Sequence, residues 1–270
     1  MIRMFVVKAD GSKERFQKSK IVNTCIRAGV SKNDSEEIAE KVARAIKNGT
    51  HTKEIYRIIL SELGKIEKKH TMIFRLRESI AEIPSQMFEA YAKKVLQAHG
   101  YACRGSTLIK GKCVEHEVDI IAKKDKLFLV ECKHHINPHR FCGLGIALQV
   151  QARLEDIVDG FAAGMNKYNF DSAWLFNNTK FSDHAKMYAA AKGIRMTGWR
   201  SGDYSLDSLV HAKKTFPITM VAMQPSVKEK MFALGVLTIQ DIVNNENMLA
   251  RKTGRDYAEK MAEQARKLIS

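Results

Sequence analysis

Long apolar runs, clustered cysteines and proline are what this chain of 270 residues has least of. No uninterrupted apolar stretch approaches the roughly 20 residues that a membrane helix needs, so a protein built on membrane-spanning helices is excluded. The opening MIRMFVVKADG passes straight into charged, strand-like sequence with no signal-peptide core, and a cytoplasmic location is the expectation. Five cysteines, Cys25, Cys103, Cys113, Cys132 and Cys142, form no Cys-x-x-Cys pair, and no histidines stand at zinc-finger spacing. Neither a disulfide framework nor structural zinc is signalled. The chain also lacks internal repeats and low-complexity tracts, which sets aside solenoids and flexible linkers.

What is abundant is positive charge. Lysine and arginine number 45 against 30 acidic residues, a net charge of +15, which favours polyanions and makes nucleic acid the natural partner. Hydrophobic residues make up 45% of the chain, enough to build ordinary cores and to argue against wholesale disorder. Only four prolines occur, and Pro84 and Pro217 fall between segments of different periodicity. Three units are expected, bounded at 1–83, 84–200 and 201–270.

The first unit opens with the strand-like MFVVKADG, a turn at Asp10-Gly11 and a second extended piece at KERFQ. Apolar residues then recur at helical spacing in Ile21, Cys25 and Ala28, in Ile38, Val42 and Ile46, and in Ile55, Ile59 and Leu63. This predicts a small hairpin capped by a helical bundle. VVKADGSKERFQKSKI and the later THTKEI resemble the ATP-cone, the regulatory nucleotide-binding domain of ribonucleotide reductases and their repressors. The resemblance implies that Lys8 and Lys20 meet phosphates, that Glu14 and Ile21 lie near the base or ribose, and that Thr52 hydrogen-bonds the nucleotide, ATP or dATP. A scaffold that no longer binds nucleotide is the alternative.

The second unit carries the chemistry. SQMFEAYAKKVLQAH reads as an amphipathic helix, followed by strand-like STLIKG, CVEHEVDIIA and KLFLVECKH. Alternate residues of a strand share a face, so Glu117, Asp119 and Ile121 point one way, and Leu129, Glu131 and Lys133 share another such face. A three-residue loop centred on Asp125 sets Asp119 opposite Glu131, with backbones roughly 5 Å apart. Two carboxylates that close repel each other unless a cation lies between them. Hard oxygen ligands completed by water and phosphate oxygens suit Mg²⁺, and an adjacent lysine suits charge developing on a phosphodiester.

The order Asp-x₁₁-Glu-x-Lys resembles the PD-(D/E)xK nuclease signature, and its surroundings are similar to the Mrr-like branch of restriction endonucleases. FEAYAKKVLQAHGY matches that branch's first helix, VDIIA its acidic strand, VECKHH its catalytic strand, and WLFNNTKFSDHAKMYAAAKGIRM its later strand, helix and strand. The resemblance implies an α/β (α+β) fold: a restriction-endonuclease-like core with a central mixed sheet flanked by helices. It makes Asp119 and Glu131 ligands of Mg²⁺ (or Mn²⁺), with the Cys132 carbonyl as a third, and Lys133 the catalytic lysine. Glu89 matches a position that supplies another acid in related nucleases, with a surface glutamate as the other reading. Gln149 or Gln151 faces the site. His134, His135 and His139 crowd after the lysine, but strand alternation separates the first two, and packing or DNA-backbone contact is expected of them rather than metal ligation.

The last unit is helical. MFALGVLTIQDIVN and MLARKTGRDYAEKMAEQARKLI each run helix, glycine turn, helix and resemble helix-hairpin-helix DNA-binding modules, a helical packing or dimerisation domain being the alternative. The expected protein is a metal-dependent DNA endonuclease regulated by a nucleotide, a homodimer because a double-strand cut needs two active sites. A nucleotide-regulated DNA-binding protein with a non-cleaving nuclease fold is the second reading, and a nucleotide-binding enzyme acting on small molecules, for which no phosphate-cradling glycine loop is present, the third.

Overall fold

A computed structural model describes residues 4–8, 10–201 and 204–269. Its backbone divides into two compact units, Met1–Leu76 and Arg77–Ser270.

In the first unit, β1 (Phe5–Val7) pairs antiparallel with β2 (Lys13–Arg15), and Val6 faces Glu14. Two amphipathic helices follow, α1 (Lys18–Arg27) and α2 (Lys32–Ala45), the second capped by Ser31, whose side chain accepts from the Asp34 N–H. β3 (Thr50–His51) leads straight into α3 (Thr52–Ile66), and α4 (Lys68–Phe74) closes the bundle. Ile21, Cys25, Ile38, Val42, Ile55, Ile59 and Leu63 are all buried, as helical spacing predicts. The hairpin is larger than expected: β3 adds parallel to β1, giving a three-stranded sheet in the order β2-β1-β3.

The short helix α5 (Leu76–Ala81) runs from the last residue of the first unit into the second, followed by α6 (Ser85–Ala98), which buries Phe88, Tyr91, Ala92, Val95 and Leu96 along one stripe. Its strands are β4 (Ala102–Arg104), β5 (Thr107–Lys110), β6 (Glu115–Val118), β7 (Ile120–Lys123) and β8 (Leu127–Lys133). Next come β9 (Phe141–Cys142), α7 (Leu144–Ala162), β10 (Ser172–Asn177), β11 (Lys180–Phe181), α8 (Asp183–Lys192) and β12 (Arg195–Thr197). The central sheet is mixed, in the order β12-β10-β8-β7-β4, with β8, β10 and β12 parallel and β7 antiparallel to both its neighbours. Parallel neighbours need a crossover, and α7 and α8 supply the two here.

Leu129, Ala173 and Leu175 of the sheet pack with Ala147, Val150 and Ile157 of α7 and with Ala185 and Ala189 of α8 in one core. Trp174, fully buried, sits among Phe128, Phe176 and Tyr101, with ring centroids 5.3 Å from both Phe128 and Tyr101. Residues of odd and even parity on β8 therefore serve different cores, and Glu131 and Lys133 have the parity of Leu129.

One strand differs from its expected form. CVEHEVDIIA is broken at Asp119: β6 pairs with β5 in a separate two-stranded ladder, and the central sheet resumes with β7 at Ile120. Alternation along a single strand therefore does not relate Glu117 to Asp119. Glu117 instead accepts from the Ser106 hydroxyl at 2.6 Å.

The helical end consists of α9 (Leu206–Lys213), a 3-10 turn (Ile218–Met220), α10 (Pro225–Ala233), α11 (Ile239–Asn244), α12 (Glu246–Thr253) and α13 (Arg255–Ile269). α10 and α11 turn at Gly235, and α12 and α13 at Gly254, both with positive φ. Thr238 and Asp241 form a reciprocal capping box at the start of α11. This region is fastened to α6: the Tyr91 hydroxyl donates to the Thr215 carbonyl at 2.9 Å, and Lys94 pairs with Asp241 at 2.7 Å.

Candidate active site

Asp119 lies at the kink between β6 and β7. The β7–β8 ladder pairs Ile120 with Val130 and Lys123 with Leu127 around the loop Lys124-Asp125-Lys126, and one step further along this register Asp119 faces Glu131. Asp119 is held there by accepting, through Oδ2, the backbone N–H of Cys132 at 2.7 Å.

Glu131 is buried, with 3% of its surface exposed. One carboxylate oxygen pairs with the Lys133 ammonium at 2.8 Å, and the other with the guanidinium of Arg153, which reaches down from α7. A charge this deep needs such partners. The Lys133 ammonium is partly desolvated, which works to lower its pKa, but the hydrogen bond and charge of Glu131 outweigh burial and raise it. Lys133 is therefore a firmly protonated cation.

Asp119 is less well compensated. Burial first, and then the charge of Glu131, push its carboxyl up to about 7, with the Cys132 N–H pulling the other way. Glu89 on α6 belongs to the same electrostatic neighbourhood: burial, then Glu117 and Glu131, raise its pKa, while Lys133 lowers it. Three acids thus share one region, and two of them hold their protons more tightly than carboxyls in water. That is the electrostatic signature of a carboxylate set with room for added positive charge. Among the described residues no group of three or more His, Cys, Asp or Glu is drawn together at metal-binding geometry. In kind, the carboxylate oxygens of Asp119 and Glu131 are donors that suit a hard divalent cation.

The histidines after Lys133 do other work. His134 packs its ring 4.9 Å from that of Phe88, with Nδ1 3.1 Å from the Ser85 hydroxyl and Nε2 3.3 Å from the Ile80 carbonyl. His135 exchanges hydrogen bonds with Asn178: its N–H donates at 2.9 Å and its carbonyl accepts at 2.8 Å. Both anchor the end of β8. Of the two glutamines on α7, Gln149 lines a cleft beside Arg153, whereas Gln151 donates to Glu155 at 2.8 Å.

Arg153 escaped the sequence reading. It stands one helical turn beyond Gln149, so the helical period marks the two as sharing a face. That this face meets Glu131 depends on how α7 lies across the sheet. Its placement is reinforced at Gly160, where a Cβ would come within 2.7 Å of the Gly111 carbonyl carbon and 2.9 Å of the Lys110 carbonyl oxygen.

In the first unit, Lys8, Glu14 and Lys20 come together: Glu14 bridges Lys8 at 2.5 Å through one oxygen and Lys20 through the other. Ile21, next along α1, is buried at 6% exposure, and Thr52 is the first residue of α3.

The restriction endonuclease family of the Mrr catalytic type matches residues 80–198, and the ATP cone domain matches residues 4–78. An uncharacterized protein of Archaeoglobus fulgidus is 31% identical over 179 residues, which cover 66% of this chain and 95% of that protein. The chain carries an Mrr-type restriction endonuclease domain behind an ATP cone domain. A second uncharacterized Archaeoglobus fulgidus protein is 54% identical over 44 residues, 16% of this chain and 85% of its own length. The crystal structure of AF1548, a protein of unknown function, resembles this Mrr-type chain with a TM-score of 0.56 and 29% identity over 67% of this chain and 96% of that one. Asp119 stands at the kink just before β7, Glu131 and Lys133 on the neighbouring strand β8 of the mixed sheet, and the ATP cone match falls on the first unit. No helix among the described residues is long and apolar enough to cross a membrane.

Proposed function

We propose that the protein is a Mg²⁺-dependent DNA endonuclease, working in the cytoplasm, that hydrolyses phosphodiester bonds under control of ATP or dATP. The observation that carries this reading is the convergence of Asp119, Glu131 and Lys133, with Asp119 left short of positive charge. A protein that merely bound DNA would gain nothing from burying paired acids where a phosphate must approach.

Asp119, Glu131 and the Cys132 carbonyl would hold Mg²⁺ or Mn²⁺, which when bound supplies Lewis-acid polarisation of the scissile phosphoryl group. Lys133, fixed by Glu131 at 2.8 Å, orients the attacking water and meets the negative charge that grows on the phosphoryl oxygens. Glu89 and Glu117 add negative field that favours retention of the cation. Removing Lys133 takes away a charge used mainly in the transition state, so its loss lowers the rate more than DNA affinity.

The division of labour follows the proposed boundaries. Residues 1–83 sense nucleotide, with Lys8 and Lys20 exchanging Glu14 for phosphate oxygens, Glu14 and Ile21 flanking base or ribose, and Thr52 donating from the start of α3. Residues 84–200 cut. Residues 201–270 grip the DNA backbone through the glycine turns at Gly235 and Gly254, where backbone N–H groups can approach a phosphate. Two copies acting together would give a double-strand break. The test is nicking of supercoiled plasmid by the wild-type chain and by Lys133→Ala, with Mg²⁺ or EDTA and with or without ATP. Metal-dependent nicking that the variant lacks supports the reading, and binding without cutting under every condition replaces it with a regulatory DNA-binding role.

A further inference from the structure

Glu131 has two counterions, and they differ in what surrounds them. Lys133 belongs to the same strand, two residues on, and is bound to the backbone of the central sheet. Arg153 comes from α7, and its side chain is 26% exposed against 4% for Glu131. Beside it opens a cleft of about 480 Å³ lined by Cys113, Val114, His116, Gln149, Ala152 and Asp156. Asp156, three residues along the same helix, accepts from the Cys113 and Val114 N–H groups at 2.8 and 3.3 Å and lies 2.7 Å from His116 Nε2, so it offers the guanidinium a negative charge in the cleft rather than a vacant carboxylate.

Charge counting gives the reason to leave. With both acids ionised, Asp119 and Glu131 carry two negative charges and Lys133 and Arg153 two positive ones, so the group is neutral without any added ion. A divalent cation on the two acids would leave these four side chains two charges in excess, which an ionised Glu89 in the same neighbourhood reduces to one, and the ion would need an oxygen of Glu131 that one of the two counterions now holds. We propose that Arg153 is an exchangeable counterion: it occupies Glu131 when metal is absent and moves into the α7 cleft when a divalent cation binds. This rests on the metal-dependent reading of the site and adds to it the group that the ion displaces. Arg153 acts through Glu131 and is a positioning residue.

Binding of Mn²⁺ to the full chain, followed by calorimetry without DNA, tests this in the wild type, Arg153→Gln and Arg153→Lys. Arg153→Gln removes the competing charge and is expected to bind Mn²⁺ about tenfold tighter, while its metal-free form melts lower because buried Glu131 keeps a single counterion. Arg153→Lys keeps the charge and stays near wild type. Equal or weaker binding by Arg153→Gln makes Arg153 a fixed brace and overturns the proposal. No Mn²⁺ binding by wild type or variant overturns the metal reading itself, a result distinct from wild-type binding that the variant leaves unchanged.

A second measurement does not depend on how well Arg153→Gln folds. In wild-type protein the Arg153 side-chain Nε–H resonance, identified by its absence in Arg153→Lys, is expected to shift on Mg²⁺ titration. A resonance that stays in place while Mg²⁺ binds overturns the exchange.

Discussion

The backbone N–H of Cys132 donates to the carboxylate of Asp119 at 2.7 Å, across the point where β7 gives way to β6. The bond fixes an acid at the kink between two strands beside the strand that carries Glu131 and Lys133. It stabilises the ionised form of Asp119, but burial and the charge of Glu131 outweigh it, and the carboxyl is pushed up to about 7.

A pH dependence of stability follows. Unfolded, this carboxyl has the ordinary value of 3.8, so between about pH 4 and 7 the native state keeps a proton that the unfolded chain has lost. The raised pKa therefore favours the folded state at the acid end of this window, and the advantage is lost as pH rises towards 7. Burial lowers the pKa of His134 and works in the opposite direction, so the contribution of Asp119 is read as a difference between two proteins. Without divalent ions, the melting temperature of Asp119→Asn relative to wild type is expected to climb from pH 5 to pH 8. Parallel curves would contradict the assignment of the shift to Asp119.

Tyr91 is fully buried, and its hydroxyl satisfies the Thr215 carbonyl at 2.9 Å. Tyr91→Phe keeps the ring and strands the carbonyl, so equilibrium urea unfolding is expected to show a loss of about 1–3 kcal/mol with an unchanged slope.

Gly160 lets α7 approach the backbone of Lys110 and Gly111. Alanine normally strengthens a helix, yet here its methyl group meets backbone atoms that cannot swing aside. Gly160→Ala is expected to cost about 1–3 kcal/mol in chemical denaturation. A gain in stability would show that α7 can shift, and with it Arg153.

In the first unit the paired lysines make a simple electrostatic prediction. Lys20 is well exposed and held by Glu14 alone among the contacts described for it, so Lys20→Ala leaves the melting temperature nearly unchanged. Affinity of the full chain for a fluorescent ATP analogue is expected to fall about tenfold, more at low salt than at high.

The features legible in the sequence are those with their own period. The helices of the first unit announce Ile38, Val42, Ile55, Ile59 and Leu63 by spacing, and the β7–β8 hairpin announces itself by two apolar runs around Lys124-Asp125-Lys126. β3 has two residues, too few to show alternation, and its pairing with β1 joins segments far apart in the sequence. The break at Asp119 is equally silent, because β6 leaves the central sheet for β5 with no proline or glycine at the kink. Arg153 was missed for a third reason. Its ion pair with Glu131 links positions 22 residues apart and exists only after α7 has crossed the sheet.

The central claim is that Asp119, Glu131 and Lys133 form one hydrolytic site, and cleavage of an end-labelled duplex in Mg²⁺ tests it most directly. Asp119→Asn, Glu131→Gln and Lys133→Met are each expected to bind the duplex within a few-fold of wild type yet cut at least about 100-fold more slowly. Variants that cut as fast as wild type, or a wild-type chain that binds the duplex and leaves it whole, would contradict the account.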